Sequence, residues 1–272
     1  MGFRAAVIIL IATMGTLGAW TVAQGGTLHA PTRANGEPPR TPMARHFQGT
    51  DAVGPLFPPG SRVHTCTASV VQSNAGNLLI TAAHCISGTA TGYVFVPGYH
   101  DGIEPLGSWT VVGAYGAPGW LARRSQRDDF AFLVVAPHRV NGHAQQIEGV
   151  TGAYELGTAP RPGERVTVPA YAIGSNDVPL TCTVRVYYDR MFPAFNCNPY
   201  VDGTSGAPWV QLRGRHRTVV GVIGGLHQGG CYAWTSYSAP FDETTLRNAS
   251  SAARHRPSTF PSAGSDGCST GL

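Results

Sequence analysis

Glycine and proline together make up a fifth of these 272 residues, and no stretch before residue 240 carries the 3.6-residue apolar period of a helix. Both facts push the chain toward short extended segments. Glycine loses the most freedom when fixed in a regular element, and proline lacks the N–H that a helix interior or sheet centre needs. β-rich runs lie between the breaks. Residues 53–57 read as an edge strand before the turn Pro58-Pro59-Gly60. Residues 66–71 and 78–83 flank the turn Ser73-Asn74-Ala75-Gly76-Asn77 and read as a hairpin. Further strands are predicted at 93–96, 109–114 and 130–135, then at 165–171, 180–188, 207–212, 218–223 and 232–238. Many short strands with closely spaced turn signals predict an all-β sandwich or barrel. The one helix predicted is 242–253, with Asp242 as N-cap and Glu243 in its first turn.

The termini carry no such pattern. Arg4, the apolar run 5–17 and the small-residue site Thr21-Val22-Ala23 read as a signal peptide, residues 1–23, cleaved before Gln24. The run is short for a membrane span and is interrupted by Thr13, Gly15 and Thr16, so no stable membrane association is expected after cleavage. Residues 24–46, rich in Pro, Arg, Gly and Thr, read as a pro-segment or flexible leader, and 249–272 as a flexible tail that Cys268 could tie down. Export implies a secreted, extracellular protein and an oxidising compartment, where six cysteines read as disulfides. The formal charge is +4, carried by scattered arginines without a single lysine, so no nucleic-acid partner is expected. A monomer is expected.

Three stretches carry chemistry. Val201-Asp202-Gly203-Thr204-Ser205-Gly206-Ala207-Pro208-Trp209 sets a serine between glycines in a turn whose converging N–H groups suit an oxyanion. Leu79-Ile80-Thr81-Ala82-Ala83-His84-Cys85 delivers a histidine at a strand end. Asp128-Asp129-Phe130-Ala131-Phe132-Leu133 offers two carboxylates, of which an extended backbone can aim only one at the histidine. Serine needs a base to attack a carbonyl, imidazole suits that role near neutral pH, and a carboxylate holds its tautomer.

In chain order these give His84, Asp129 and Ser205. With those motifs the sequence resembles the chymotrypsin/trypsin-like serine peptidase superfamily, in its bacterial secreted branch with Gly-x-Ser-Gly-x-Pro. The resemblance covers residues 50–248 and implies two antiparallel six-stranded β-barrels with the active site in the cleft between them. The first barrel would span 47–140 and carry His84 and Asp129. A linker, 141–152, would lead to the second barrel, 153–248, with Ser205. The family pattern of Asp, apolar, Ala, apolar selects Asp129 over Asp128. The resemblance also implies an oxyanion hole at the amides of Gly203 and Ser205. It implies a disulfide Cys66–Cys85 closing the hairpin, and a secreted serine endopeptidase that needs no cofactor or metal and acts on polypeptides.

Other pairings are more open. Cys182–Cys197 would staple the loop that feeds Ser205, and Cys231–Cys268 would pin the tail, with Cys197–Cys231 as a rival. Residues 219–226 match the strand that, in the family, pairs with substrate and walls the specificity pocket. Pro199, Tyr200, Ile223, Gly224, Gly225 and His227 are the expected substrate-binding residues, and Asp202 is a further polar candidate. Two departures matter: Thr204 stands where digestive members have aspartate, and Pro199 stands where trypsin has its specificity aspartate. An inactive binding homologue, an esterase and a metal site at His227 and Cys231 are the alternatives.

Overall fold

The computed structural model describes Gly2 and residues 36–140, 143–173, 178–252 and 257–268. The chain divides into two compact units, Met1–Glu37 and Pro38–Leu272, and every strand and helix of the described residues lies in the second. Apart from Gly2, the expected signal peptide lies outside the described residues, as does most of the leader.

The first half is a closed barrel. Its strands are β2 (Val53–Phe57), β3 (Cys66–Val71), β4 (Leu78–Thr81), β5 (Val94–Phe95), β6 (Trp109–Gly116) and β7 (Ala131–Val135), in the order β2-β3-β4-β7-β6-β5. Every residue of β3 is buried. The β3–β4 hairpin pairs Ser69 with Ile80, and a single 3-10 turn at Ala83–Cys85 then carries His84 off the strand end. Trp109, Phe132 and Leu133 fill the core, with Trp120 buried from the short helix α1 (Pro118–Arg123). Proline at the start of that helix gives up only an N–H that would be unpaired anyway.

The linker region holds the hairpin β8 (His138–Val140) and β9 (His143–Gln145), then the helix α2 (Ile147–Thr151). Beyond it, where a second barrel was expected, the strands form two sheets, neither of them closed among the described residues. One has six strands: β1 (Arg45–His46), β10 (Glu155–Leu156), β11 (Arg165–Ala170), β12 (Leu180–Arg185), β15 (Pro208–Arg213) and β16 (His216–Val222), ordered β1-β12-β11-β15-β16-β10. The other joins β13 (Tyr187–Asp189), β14 (Phe192–Asn196) and β17 (Thr235–Tyr237) in the order β13-β14-β17. The strand expected at 180–188 is interrupted at Val186, whose N–H goes to Glu164 O (2.9 Å). The chain then reverses through Arg190 and Met191, both at positive φ, in a two-residue hairpin that pairs Asp189 with Phe192. A bond between Cys182 on β12 and Cys197 just after β14 joins the two sheets. Trp209, Phe195 and Tyr200 pack between them, with Phe195 edge-on to Trp209 at 4.9 Å.

Both ends of the ordered chain differ from expectation. Within the stretch expected as a pro-segment or flexible leader, β1 pairs with β12, Ala44 N donates to Asn198 O (2.7 Å) and Asn198 N to Pro42 O (2.9 Å). An open sheet edge recruits that segment. Part of the stretch expected as a flexible tail packs as well. After α3 (Glu243–Ala252), capped by Asp242 Oδ1 on Thr244 N (2.8 Å) and Thr245 N (3.1 Å), residues 257–268 pack back on the protein, with Phe260 buried.

Candidate active site

The carboxylate of Asp129 is fully buried. It accepts from His84 N (2.9 Å), lies 2.8 Å from His84 Nδ1, and accepts from Gly225 N (2.8 Å). Such contacts offset the cost of taking a charge out of water. A carboxylate only accepts hydrogen bonds, so Nδ1 is the protonated nitrogen and Nε2 keeps its lone pair. Asp128 closes the turn Gln126–Asp128, and its carboxylate lies over Gly119 of α1, away from the histidine. His84 and Ser205 line one cavity of about 350 Å³, together with Gly203, Asp202, His227 and Asp266.

The serine turn is held tightly. Thr204 N donates to Val201 O (3.1 Å), Thr204 Oγ1 to the same oxygen (2.7 Å), Gly206 N to Ile223 O (2.7 Å) and Ala207 N to Thr204 O (3.0 Å). Among the described residues the amides of Gly203 and Ser205 have no protein acceptor. Both glycines are required by space as well as by φ. At Gly203 (φ +90°) a Cβ would come within 2.7 Å of Ile173 N, and at Gly206 (φ +80°) within 2.3 Å of Thr67 O.

Sequence reasoning missed Thr67. From β3 its N–H donates to Ser205 O (2.8 Å) and its hydroxyl to Gly203 O (3.0 Å), while the hydroxyl accepts from Tyr171 N (3.0 Å). Thr81 Oγ1 in turn donates to Thr67 O (2.8 Å). The first barrel thus clamps the carbonyls of the serine turn, which fixes where its amides point. A polar residue inside an otherwise buried strand was the available signal.

A second cavity, of about 310 Å³, opens behind Ser205 and is lined by Tyr200, Ile223, Gly229, Gly230, Tyr232 and Thr235 among others. Of the expected substrate-binding residues, Tyr200 and Ile223 reach it, and His227 lines the cavity with His84. Burial raises the Tyr200 phenol well above its ordinary pKa, and its hydroxyl donates to Val168 O (2.6 Å). Pro199 is exposed and lines neither cavity. Gly224 and Gly225 pass close to Asp129: a Cβ on Gly224 would stand 3.0 Å from its backbone oxygen and 3.1 Å from its Oδ2, and Gly225 N donates to the carboxylate. The strand expected through 226 ends at Val222, and Leu226–Gly229 forms a 3-10 turn with His227 and Gln228 at positive φ. Cys66 is bonded to Cys85 and Cys231 to Cys268. The sulfurs near His84 and His227 are therefore disulfide sulfurs and not thiolates, the form that binds metals.

No protein-family model matches the sequence, and no curated protein matches it. Solved structures do. A protease, Anisep, from Arthrobacter nicotinovorans is 21% identical over 77% of this chain and 100% of its own, with a TM-score of 0.63. A thermostable serine protease, AL20, from an extremophilic microorganism is 20% identical over 76% of this chain and 99% of its own, with a TM-score of 0.64. A Glu endopeptidase is 15% identical over 79% and 98%, with a TM-score of 0.60. From its closed β-barrel to these neighbours, the chain has the fold of the chymotrypsin-like serine proteases.

Proposed function

We propose that this chain is a secreted serine endopeptidase that hydrolyses peptide bonds of polypeptide substrates through an acyl-enzyme. The observation that carries the reading is the His84–Asp129 contact of 2.8 Å, opening onto the cavity that holds Ser205. Ser205 Oγ attacks the substrate carbonyl while His84 Nε2 takes its proton. The tetrahedral oxyanion accepts from the amides of Gly203 and Ser205, and His84 then returns the proton to the leaving amine. Water repeats the cycle to release the acid. Asp129 holds the tautomer and stabilises the imidazolium. The cavity behind Ser205 takes the side chain of the acyl residue.

Export is supported by the signal-like N-terminus and by three disulfides. Among the described residues no helix is long and apolar enough to cross a membrane. The intact set of three catalytic residues argues against an inactive binding homologue, which has no use for all of them. Digestion of a peptide library by the purified protein, read by mass spectrometry beside Ser205→Ala, tests the reading. Cleavage by the parent and none by the variant supports it; cleavage by both, or ester hydrolysis without peptide cleavage, contradicts it.

A further inference from the structure

Residues 257–268 pass from the first half of the molecule to the second beside the cleft that holds Ser205. On the first half, Ser258 N donates to Ala114 O (2.7 Å), and Phe260 and Gly88 exchange backbone hydrogen bonds of 2.7 and 3.0 Å. Arg124 Nε donates to Ser262 O (2.7 Å). On the second half, Gln228 Nε2 donates to Ala263 O and Gly264 O, each at 3.3 Å. His227 Nδ1 lies 3.0 Å from Asp266 O, and Cys268 is bonded to Cys231. Asp266 and Gln228 then line the same cavity as His84 and Ser205.

The direction of a bound substrate follows from the amides and the second cavity. Its carbonyl faces Gly203 and Ser205, and its side chain enters the space walled by Ile223, Gln228, Gly229 and Gly230. The chain upstream of that residue must leave along the same wall. There the strand has ended at Val222, the backbone turns with His227 and Gln228 at positive φ, and the His227 and Gln228 side chains are already bonded to the tail. Asp266 and Asp202 line the space that remains. Both are exposed, and among the described residues neither has a cationic partner.

We propose that residues 257–268 are a fixed strap that closes the upstream side of the cleft, so that the enzyme cuts only a few residues from a substrate's amino terminus, with the terminal ammonium facing Asp266. The proposal rests on the serine-peptidase reading and replaces internal cleavage with cleavage near the amino terminus. One cleavable sequence is placed at increasing distances from the amino terminus in a peptide series, each peptide free or N-acetylated. The series is run with the purified exported protein, with Asp266→Asn, and with a chain ended after Ser262 that also carries Cys231→Ser. That last variant retains Phe260, which is buried in the parent.

For the parent, kcat/KM is expected to fall about 100-fold, roughly 2.7 kcal/mol, once more than a few residues precede the bond, and the shortened chain loses this dependence. Asp266→Asn keeps the length dependence and loses a preference for the free amine of about fivefold, the scale of an exposed ion pair. Equal cleavage at every distance by the parent overturns the proposal and leaves the peptidase reading standing. An acetylated peptide with an upstream arginine cut as fast as the free amine assigns the carboxylates to a side chain and overturns the amino-terminal form. If none of the proteins cuts any peptide, the peptidase reading itself fails.

Discussion

The two halves of this protein are closed by different means. The first is a barrel whose six strands satisfy one another, and it holds His84 and Asp129 at its rim. The second is an open six-stranded sheet and a three-stranded one, and segments far away in sequence complete it. Residues 42–47 run beside 198 and cover the edge of β12, a disulfide joins the sheets, and the tail fastens the 227–231 loop. His84 and Asp129 thus stand on a barrel closed by its own strands, while Ser205 and the cavities beside it stand on an assembled frame. Damage to the first frame should act on the chemical step, and damage to the second on stability and substrate binding.

The sharpest break of that contrast is Asp129→Asn beside Asp128→Asn. The first should lower kcat on the order of 10⁴ with the fold intact, as loss of the carboxylate does in chymotrypsin-type enzymes, and the second should cost little. A crippled Asp128 variant would reverse the assignment. Next is Cys182→Ser with Cys197→Ser. Opening a loop of 15 residues should remove about 3 kcal/mol of stability in urea titration, and a change below 1 kcal/mol would mean that packing alone holds the two sheets together. Thr67→Val sharpens the comparison at the seam. It leaves Gly203 O and Tyr171 N without their partner, at about 1–3 kcal/mol, so kcat should drop about tenfold with KM nearly unchanged. A rise in KM alone would assign Thr67 to substrate binding.

A chain beginning at Phe47 should raise KM severalfold relative to one beginning at Pro38, because Asn198 loses both of its leader partners. Adding two residues before Pro38 should change nothing, since Thr204 bonds within its own turn and asks for no terminal ammonium. The smallest effect is expected at His216, whose imidazole pKa is raised by its hydrogen bond to Glu155 Oε1 (2.6 Å), which ties β10 to β16. That contribution is complete below the unfolded value of about 6.5 and is lost as pH rises through the folded pKa. His216→Ala should therefore lower Tm slightly at pH 6 and not at pH 9.

The motifs of the proposed catalytic site are legible because they are local: a Gly-x-Ser-Gly turn, a histidine at a strand end and a carboxylate before an apolar run each declare themselves within a few residues. The helix capped by Asp242 was legible for the same reason. What escaped was non-local or unsigned. The turn that splits the second half uses Arg190 and Met191 at positive φ, where Asn-Gly or Asp-Gly would have signalled a hairpin. The six residues of α1 are too few to show a period. Residues 38–46 and 257–268 have loop composition, and only the sheet edge and the loops they pack on make them structure. The close approach of Gly224-Gly225 to Asp129 escaped because it depends on a chain segment 95 residues earlier.

Activation of Ser205 by His84, held by Asp129, is measured by reaction with a fluorophosphonate probe, timed and mapped by mass spectrometry in the parent protein and in His84→Ala. A single adduct on Ser205 is expected in the parent, with a rate at least about 10³-fold lower in the variant. An adduct on another residue, or a variant that reacts as fast as the parent, would contradict it.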